Sequence, residues 1–466
     1  MDIQTRLSAI HLSTECDRRM DLLGFMFKYL HFTFLGPSQE TMNNTWKRRL
    51  YSLVQVIILF SYIPAIIGQA FGLCKYREDV EDISDILVSI VPLITFFPCS
   101  LYFITNWDNI KRFMLSMETE SCFASPFVQS KNNLLQIIEG TKKKCIILTK
   151  VIVITEICGT CCFLFKPFVL DYLENQNRNL SEEEHVKNQW KKLMFLMWLP
   201  VDPRDPLIFY SIYTYQLFVC FVLFCHSTSI INFNFVLIRY SFIQFTLTCR
   251  AISETDVLTS CSKLESKNDS EVVKNENISS EIVAKSQSLS RDSNDIYINE
   301  ETTEQADTES SEVYNYVREC TILHQSAISF AKEMNKLLSP LFVMNLLILS
   351  TVVVVSTFQL AMGGGVEKSL PYLSASMVVL MDTFALCWFG QQLMDESLAV
   401  EQAVYNTNWY DQPNSVKKLI YFIMMRSQNV VEIKETGFPN LSIETFSVIL
   451  NASYQWFTIL MNMVHE

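Results

Sequence analysis

The sequence predicts an all-α membrane protein of seven transmembrane helices, with the N-terminus cytoplasmic, the C-terminus extracellular and a cytoplasmic helical anchor region. Three observations predict it. Hydrophobic residues make up 49% of the 466 residues and charged residues only 18%, against about 25% charged in a typical soluble protein. Seven apolar runs are long enough for a helix to cross a hydrocarbon core, which takes about 20 residues. Lys and Arg are distributed unevenly between the loops that join them. The chain is nevertheless acidic, with 37 Lys+Arg against 49 Asp+Glu and a net charge of −12. An acidic total excludes nucleic-acid binding as the default, since phosphate recognition needs a basic surface. Only 11 Gly disfavour a Gly-rich nucleotide fold.

In chain order, residues 1–50 form a cytoplasmic N-terminal segment that lacks the apolar core of a signal peptide. Helices 1–4, with an inner extension of helix 4, occupy 51–262, with apolar runs at 51–73, 86–107, 145–170 and 207–238. The third run is the least clean, carrying Lys150, Glu156 and Lys166. Residues 263–312 hold ten Ser, no Gly or Pro, 13 acids and five basic residues, a composition that reads as a disordered loop. Helices 5 and 6 with an inner extension occupy 313–394, with runs at 337–366 and 370–394, the latter interrupted by Asp382. An anchor loop follows at 395–444, and helix 7 takes 445–466. Removing 263–312 leaves 36 acids and 32 basic residues, so the loop accounts for −8 of the −12. The remaining body is nearly neutral.

The loop 108–144 carries six basic residues, whereas 74–85 carries two against five acids. That bias places the N-terminus inside. A G-protein-coupled receptor would have its N-terminus outside, an Asp/Glu-Arg-Tyr end to span three and Asn-Pro-x-x-Tyr in span seven, and none of these is present. The predicted outer loop 171–206 has no Cys, so the 14 cysteines read as small apolar residues and reduced thiols. Cys158, Cys161 and Cys162 have no His or second Cys pair to complete a metal site, and no cofactor is implied. A transporter should show an internal repeat, and the prolines at 64, 92, 98, 340 and 371 do not fall in corresponding halves.

The last third carries the most specific pattern. Cys387-Trp388-Phe389-Gly390-Gln391-Gln392 leads to Glu396-Ser397, Ala403-Val404-Tyr405, Trp409-Tyr410, Lys417-Lys418-Leu419 and Arg426-Ser427-Gln428. Leu441-Ser442, Thr445-Phe446 and Ser453-Tyr454-Gln455-Trp456-Phe457-Thr458 follow. Upstream stand His324 and Ser339-Pro340-Leu341. This order and spacing resembles the insect odorant receptors over about 320–460, and the topology matches nearly the whole chain. The chain looks like a ligand-tuned subunit rather than the co-receptor. One departure is Val430-Val431, where the family often has Pro. The gustatory receptors end in Thr-Tyr, five apolar residues and Gln-Phe, which Leu460-Met461 do not match.

The resemblance implies a ligand-gated cation channel in the plasma membrane of sensory neurons, not an enzyme. Its partners would be a small-molecule odorant, membrane lipid and an odorant co-receptor subunit in a tetramer. The alternatives are a gustatory-type chemoreceptor channel, or a seven-span receptor or transporter without a pore. Aligning Phe457 with the family puts Ile459, Asn462 and Met463 at the pore gate, where apolar rings close by dewetting and amides can coordinate cations. Counting from Ser453-Tyr454 shifts that frame by two, and a plain lipid-facing or packing role competes with it. Tyr405 and Trp409 are the expected subunit anchors, with ordinary intrasubunit packing as the competing reading.

The family's ligand pocket lies in the outer half of the spans, bounded by spans two, three, four and six. Helical spacing gives Glu156, Gly159 and Phe163 on span three and Phe209, Tyr213 and Gln216 on span four, with Tyr372 and Ser376 at the outer turn of span six. Glu156, His226 and Asp382 stand out as intramembrane ionisable groups, costly unless paired. Glu156 suits an amine ligand; the competing reading is a buried carboxyl bonded to a neighbouring helix. Asn179 in Asn179-Leu180-Ser181 is the well-placed glycosylation sequon.

Overall fold

The computed structural model of the chain describes residues 21–119, 122, 125–174, 193–202, 205–256, 295–362, 366–435 and 437–465. Every regular element among them is helical. The N-terminal segment folds as α1 (Asp21–Phe32) and the short α2 (Gln39–Asn43). It is tied to the bundle: Ser229 donates to Thr33 Oγ1 at 2.9 Å, and Gln55 Nε2 donates to the Phe34 carbonyl at 2.8 Å. The first span is two helices, α3 (Thr45–Phe60) and α4 (Tyr62–Lys75). Pro64 explains the break at Ser61. It has no N–H, and its ring would strike the carbonyl of residue 60 in a continuous helix. The side chain of Asn44 caps the start of α3 by accepting from the Trp46 and Lys47 N–H groups.

The second span, α5 (Val80–Thr105), contains Pro92 and Pro98. A short α6 (Trp107–Thr119) and the single turn α7 (Pro126–Gln129) lead into α8 (Asn132–Glu174). Next come α9 (Pro206–Ser253), α10 (Asp295–Met362) and α11 (Val366–Tyr405). Asp205 caps α9 through the Leu207 N–H, with Pro206 in the first turn, a position where its missing donor costs nothing. α9 has 48 residues, roughly 70 Å at 1.5 Å per residue, against about 30 Å of hydrocarbon. It packs on α8, α10 and α11, and these four long helices extend past the bilayer at one end. There α12 (Asn414–Ser427) buries Val416, Ile420 and Ile423 against them, and α13 (Ile443–His465) returns along α10 and α11.

Six segments among the described residues are long and apolar enough to cross a membrane, namely Thr45–Lys75, Asp82–Thr105, Asn132–Cys162, Pro206–Ser253, Glu312–Ala361 and Leu370–Tyr405. With the 23-residue α13 they give the seven-helix arrangement. Their outward sides are apolar, with Ile57 on α3, Ile147 and Ile154 on α8, Phe221 on α9 and Met377 and Met381 on α11 all exposed. A water-soluble monomer does not carry such a belt; lipid is the solvent that suits it. Helix is also the form in which a spanning segment satisfies its own backbone.

The extramembrane end is held by polar ties as well as packing. Asn335 donates to the Lys434 carbonyl at 3.0 Å and accepts from the Lys434 N–H at 2.9 Å. Arg239 donates to Gln392 at 3.2 Å, and Thr246 to Glu396 at 3.1 Å. His324 is buried there with its ring edge-on to Phe245, and desolvation, then the Arg426 charge, lowers its imidazole to about 4, so it sits neutral at pH 7.

One expectation changes. Residues 263–312 read as disordered from composition, but α10 begins at Asp295, so 295–312 are helical; residues 257–294 lie outside the described ones. The acids there do not oppose helix, since Glu is a good helix former, and the segment is continuous with the strongly packed part of α10. Asn179 and the side chains of Phe163 and Met463 also lie outside the described residues.

Candidate functional site

A cavity of about 160 Å³ lies within the helix bundle, walled by α5, α8, α9, α10 and α11. The crossing of α8 and α11 sets its floor. A Cβ on Gly159 would stand 2.7 Å from Val378 Cγ2, so only glycine lets the two helices approach this closely. One turn away, at i−3 on α8 and i+4 on α11, the same crossing brings Glu156 and Asp382 together. Both are more than nine-tenths buried and both line the cavity with Ser227 of α9, whose hydroxyl donates to the Phe224 carbonyl at 3.1 Å.

The rest of the wall is mostly apolar. α5 contributes Val88, Pro92 and Phe96 at helical spacing, with Pro92 leaving the α5 ladder one hydrogen bond short beside the cavity. α9 contributes Leu223, Phe224 and Ile231, and α10 contributes Asn345, Ile348 and Val352. The amide nitrogen of Asn345 is buried without a hydrogen-bond partner. Among the described residues no Lys, Arg or His lines the cavity.

Residues 193–199 close the cavity at one end. Although a loop, the segment is sunk into the bundle, with Leu193 to Met197 each less than 5% exposed, and Phe195 reaches the cavity wall. A buried loop needs partners for its backbone. The Gln216 side chain supplies two of them, donating to the Phe195 carbonyl at 2.9 Å and accepting its N–H at 3.3 Å. The Trp198 N–H donates to the Gly68 carbonyl at 3.0 Å. Replacing Gln216 by Leu removes both Phe195 bonds while keeping the volume. It is expected to cost about 1–3 kcal/mol through the orphaned peptide and to speed amide exchange across 193–199. Unchanged exchange in Q216L would show that the clamp does not hold the loop.

A second groove of about 360 Å³ lies between α8 and α9, shares Thr160, Cys220 and Phe224 with the cavity, and is flanked by the exposed Leu217, Phe218 and Phe221.

Of the residues expected from the sequence to line the pocket, Glu156 and Gly159 do so. Phe209, Tyr213 and Gln216 do not. The first two stack at 6.4 Å and pack against the Leu193–Met197 cluster, so this part of α9 seats the loop while the next two turns face the cavity. Tyr372 instead ties α11 to α5, donating to Asp85 Oδ1 at 2.8 Å, and Ser376 is buried one turn further on beside the lining residue Ala375. His226 is a structural tie, its Nδ1 lying 2.8 Å from Ser100 Oγ and 3.1 Å from Tyr62 Oη. The sequence reading missed Phe195 and Asn345, and it expected the second span to contribute without naming its residues. It noted Asp382 without connecting it to Glu156. The signal was present: two lone carboxyls in apolar spans are each costly, and pairing is the usual resolution.

Fold and cavity together define a multi-pass helical membrane protein with a mostly apolar cavity between its helices. The family model described as 7tm Odorant receptor matches residues 82–454. The chain belongs to that family of insect odorant receptors. Among its relatives, "Putative odorant receptor 92a" of Drosophila melanogaster is 28% identical over 160 residues, 34% of this chain and 39% of the relative. "Odorant receptor Or2" of Anopheles gambiae is 26% identical over 144 residues, 31% of this chain and 38% of the relative. These alignments therefore span less than two-fifths of each relative's length. The solved olfactory receptor OR5 of Machilis hrabei superposes with a TM-score of 0.67 over 97% of this chain and 99% of its own, at 13% identity. The same receptor in complex with eugenol gives 0.61 at 14% identity. At that identity the likeness is one of fold.

Proposed function

We propose that the chain is a ligand-tuned odorant receptor subunit in the plasma membrane of sensory neurons. A small volatile ligand binds in the α5–α8–α9–α10–α11 cavity, and a cation pore formed by α13 then opens in a tetramer with a co-receptor subunit. The observation that carries this reading is the cavity itself. It is mostly apolar and large enough for about one benzene-sized molecule. The eugenol complex of the Machilis hrabei receptor is a small aromatic ligand on the same fold.

Other features support the assembly. On α13 the side chains of Ile459 and Asn462 are exposed, whereas Thr445 and Ser453 are buried. At i and i+3 the two exposed side chains can face a shared axis; Met463, at i+4, is proposed with them as a pore residue. Outside the membrane, Tyr405, Tyr410, Tyr421 and Phe422 are all more than half exposed, an aromatic surface of the kind that anchors neighbouring subunits. Trp409 is half-buried against the core beneath it, so of the two expected anchors Tyr405 is the outward one. The six basic residues of 108–144 support an arrangement with the N-terminus and the acidic 263–312 segment in the cytoplasm, the segment acting as a spacer, and Asn179 outside.

The test is to express the full chain with and without a co-receptor and record currents against an odorant panel, alongside the Ala375→Phe variant. Ala375 lines the cavity, and a phenyl group there occupies most of its volume. The expected result is an odorant-evoked cation current that falls at least tenfold in A375F at equal surface expression. A surface-expressed chain that passes no such current under either condition would favour the non-channel receptor.

A further inference from the structure

We propose that the cavity selects small apolar amines, the Glu156–Asp382 pair receiving the nitrogen and the apolar wall receiving the hydrocarbon body. The inference rests on the cavity being the ligand site and names the ligand class it takes.

Its starting point is a mismatch between cost and need. A cavity that recognises only shape has no use for ionisable groups, and each carboxyl in an apolar span is expensive. Here two are placed within reach of each other, more than nine-tenths buried, and both line the cavity. No basic residue lines the cavity with them, and no salt bridge to either is present among the described residues. Two carboxyls that share one buried site cannot both ionise, so one of them keeps its proton. The pair is thus a donor and an acceptor side by side, facing a space of about 160 Å³.

An amine complements that arrangement better than any other neutral small group. Its lone pair takes the shared proton, and the resulting ammonium donates N–H bonds to both carboxylates. One proton has moved from oxygen to nitrogen, and the net charge of the occupied site equals that of the empty site plus the neutral ligand. Charge-assisted bonds of this kind are about twice as strong as neutral ones. An alcohol of the same shape has one O–H to give and cannot hold the proton, so it bonds to the pair only as a neutral partner. The hydrocarbon body then lies against Phe96, Leu223, Ile348 and Val379. The unpartnered Asn345 amide nitrogen is an independent sign that polar groups in this wall are not consumed by helix packing. It suits ligands that also carry an acceptor oxygen.

The experiment uses the purified full chain in detergent and follows the melting midpoint against cyclohexylamine, cyclohexanol and cyclohexane, three probes of nearly equal shape. Cyclohexylamine is expected to stabilise wild type at concentrations at least tenfold below cyclohexanol. Glu156→Gln and Asp382→Asn are each expected to raise the cyclohexylamine concentration needed at least tenfold, while moving cyclohexanol by no more than about twofold. Equal potency of amine and alcohol in wild type, no stabilisation by the amine, or carboxamide variants that shift both probes alike would each overturn the proposal. Should one variant fail to fold, the other variant and the wild-type ranking decide. Ala375→Phe separates the two levels. If it abolishes stabilisation by every probe while the carboxamide variants do not discriminate, the site stands and the amine selectivity falls. If it leaves every probe unaffected, the cavity is not the site and both fall.

Discussion

Gly390→Ala is expected to be among the most damaging single-atom changes in the chain. A Cβ on Gly390 would lie 2.3 Å from the Leu441 carbonyl oxygen and 3.1 Å from its carbonyl carbon, both backbone atoms that no rotamer change can move. That stretch of backbone is itself fixed. The Leu441 N–H donates to the Ile433 carbonyl at 2.8 Å, and Ser442 caps α13 by accepting the Thr445 N–H at 3.2 Å. To admit one methyl group, α11 must separate from the strap that launches α13. A destabilisation of about 3 kcal/mol is expected from overpacking against a fixed wall. The melting midpoint of the detergent-solubilised variant reads it directly. Gly140→Ala is the control: nothing lies within 4 Å of a Cβ there, and alanine is the better helix former. If G390A melts with G140A, the strap is not held where the structure has it.

Gly159→Ala strikes the other close crossing, with a different signature. The obstacle is Val378 Cγ2, the tip of a side chain. Pushing α8 from α11 at this point strains the Glu156–Asp382 contact one turn away, and leaving a buried polar group unsatisfied costs about 1–3 kcal/mol. Partial separation should cost about 2 kcal/mol and weaken ligand-induced stabilisation at least tenfold. Val378→Ala removes the opposing methyl group. The double variant G159A/V378A should therefore recover at least about 1 kcal/mol relative to additivity. Strict additivity in that cycle would mean that the crossing is not what glycine protects.

Both glycines were visible in the sequence, but only as letters. Gly159 was placed on the pocket face by its spacing from Glu156, and Gly390 stood within the Trp388-Phe389-Gly390-Gln391 pattern of the family. What neither spacing nor pattern gives is the partner, because Gly159 meets Val378 and Gly390 meets Leu441, residues far apart in the chain. The spans were legible for a different reason. Lipid imposes a long apolar run on every crossing helix, a local signal that survives in one sequence. The break of the first span was less legible, although Pro64 marks it. Along α9, the cavity-lining residues begin at Cys220, past the Phe209, Tyr213 and Gln216 stripe. A stripe of Phe209, Tyr213 and Gln216 looks the same from the sequence whether it faces a ligand or a buried loop. The loop at 193–199 has no periodicity that announces burial; only its run of Leu193-Met194-Phe195-Leu196-Met197-Trp198 hints at it. The end of the acidic segment was misread because composition measures mean hydropathy and not continuity with the packed helix that follows.

The clamped loop and the groove beside it have a kinetic consequence. With Phe195 held by Gln216 at the cavity wall, the α8–α9 groove that shares that wall opens on the flank where Phe221 is exposed. A molecule leaving by the groove enters the hydrocarbon phase, not water. The bilayer then acts as the reservoir with which the site equilibrates. Apparent potency would scale with oil–water partitioning, and washout would follow the emptying of the membrane rather than the dissociation of the complex.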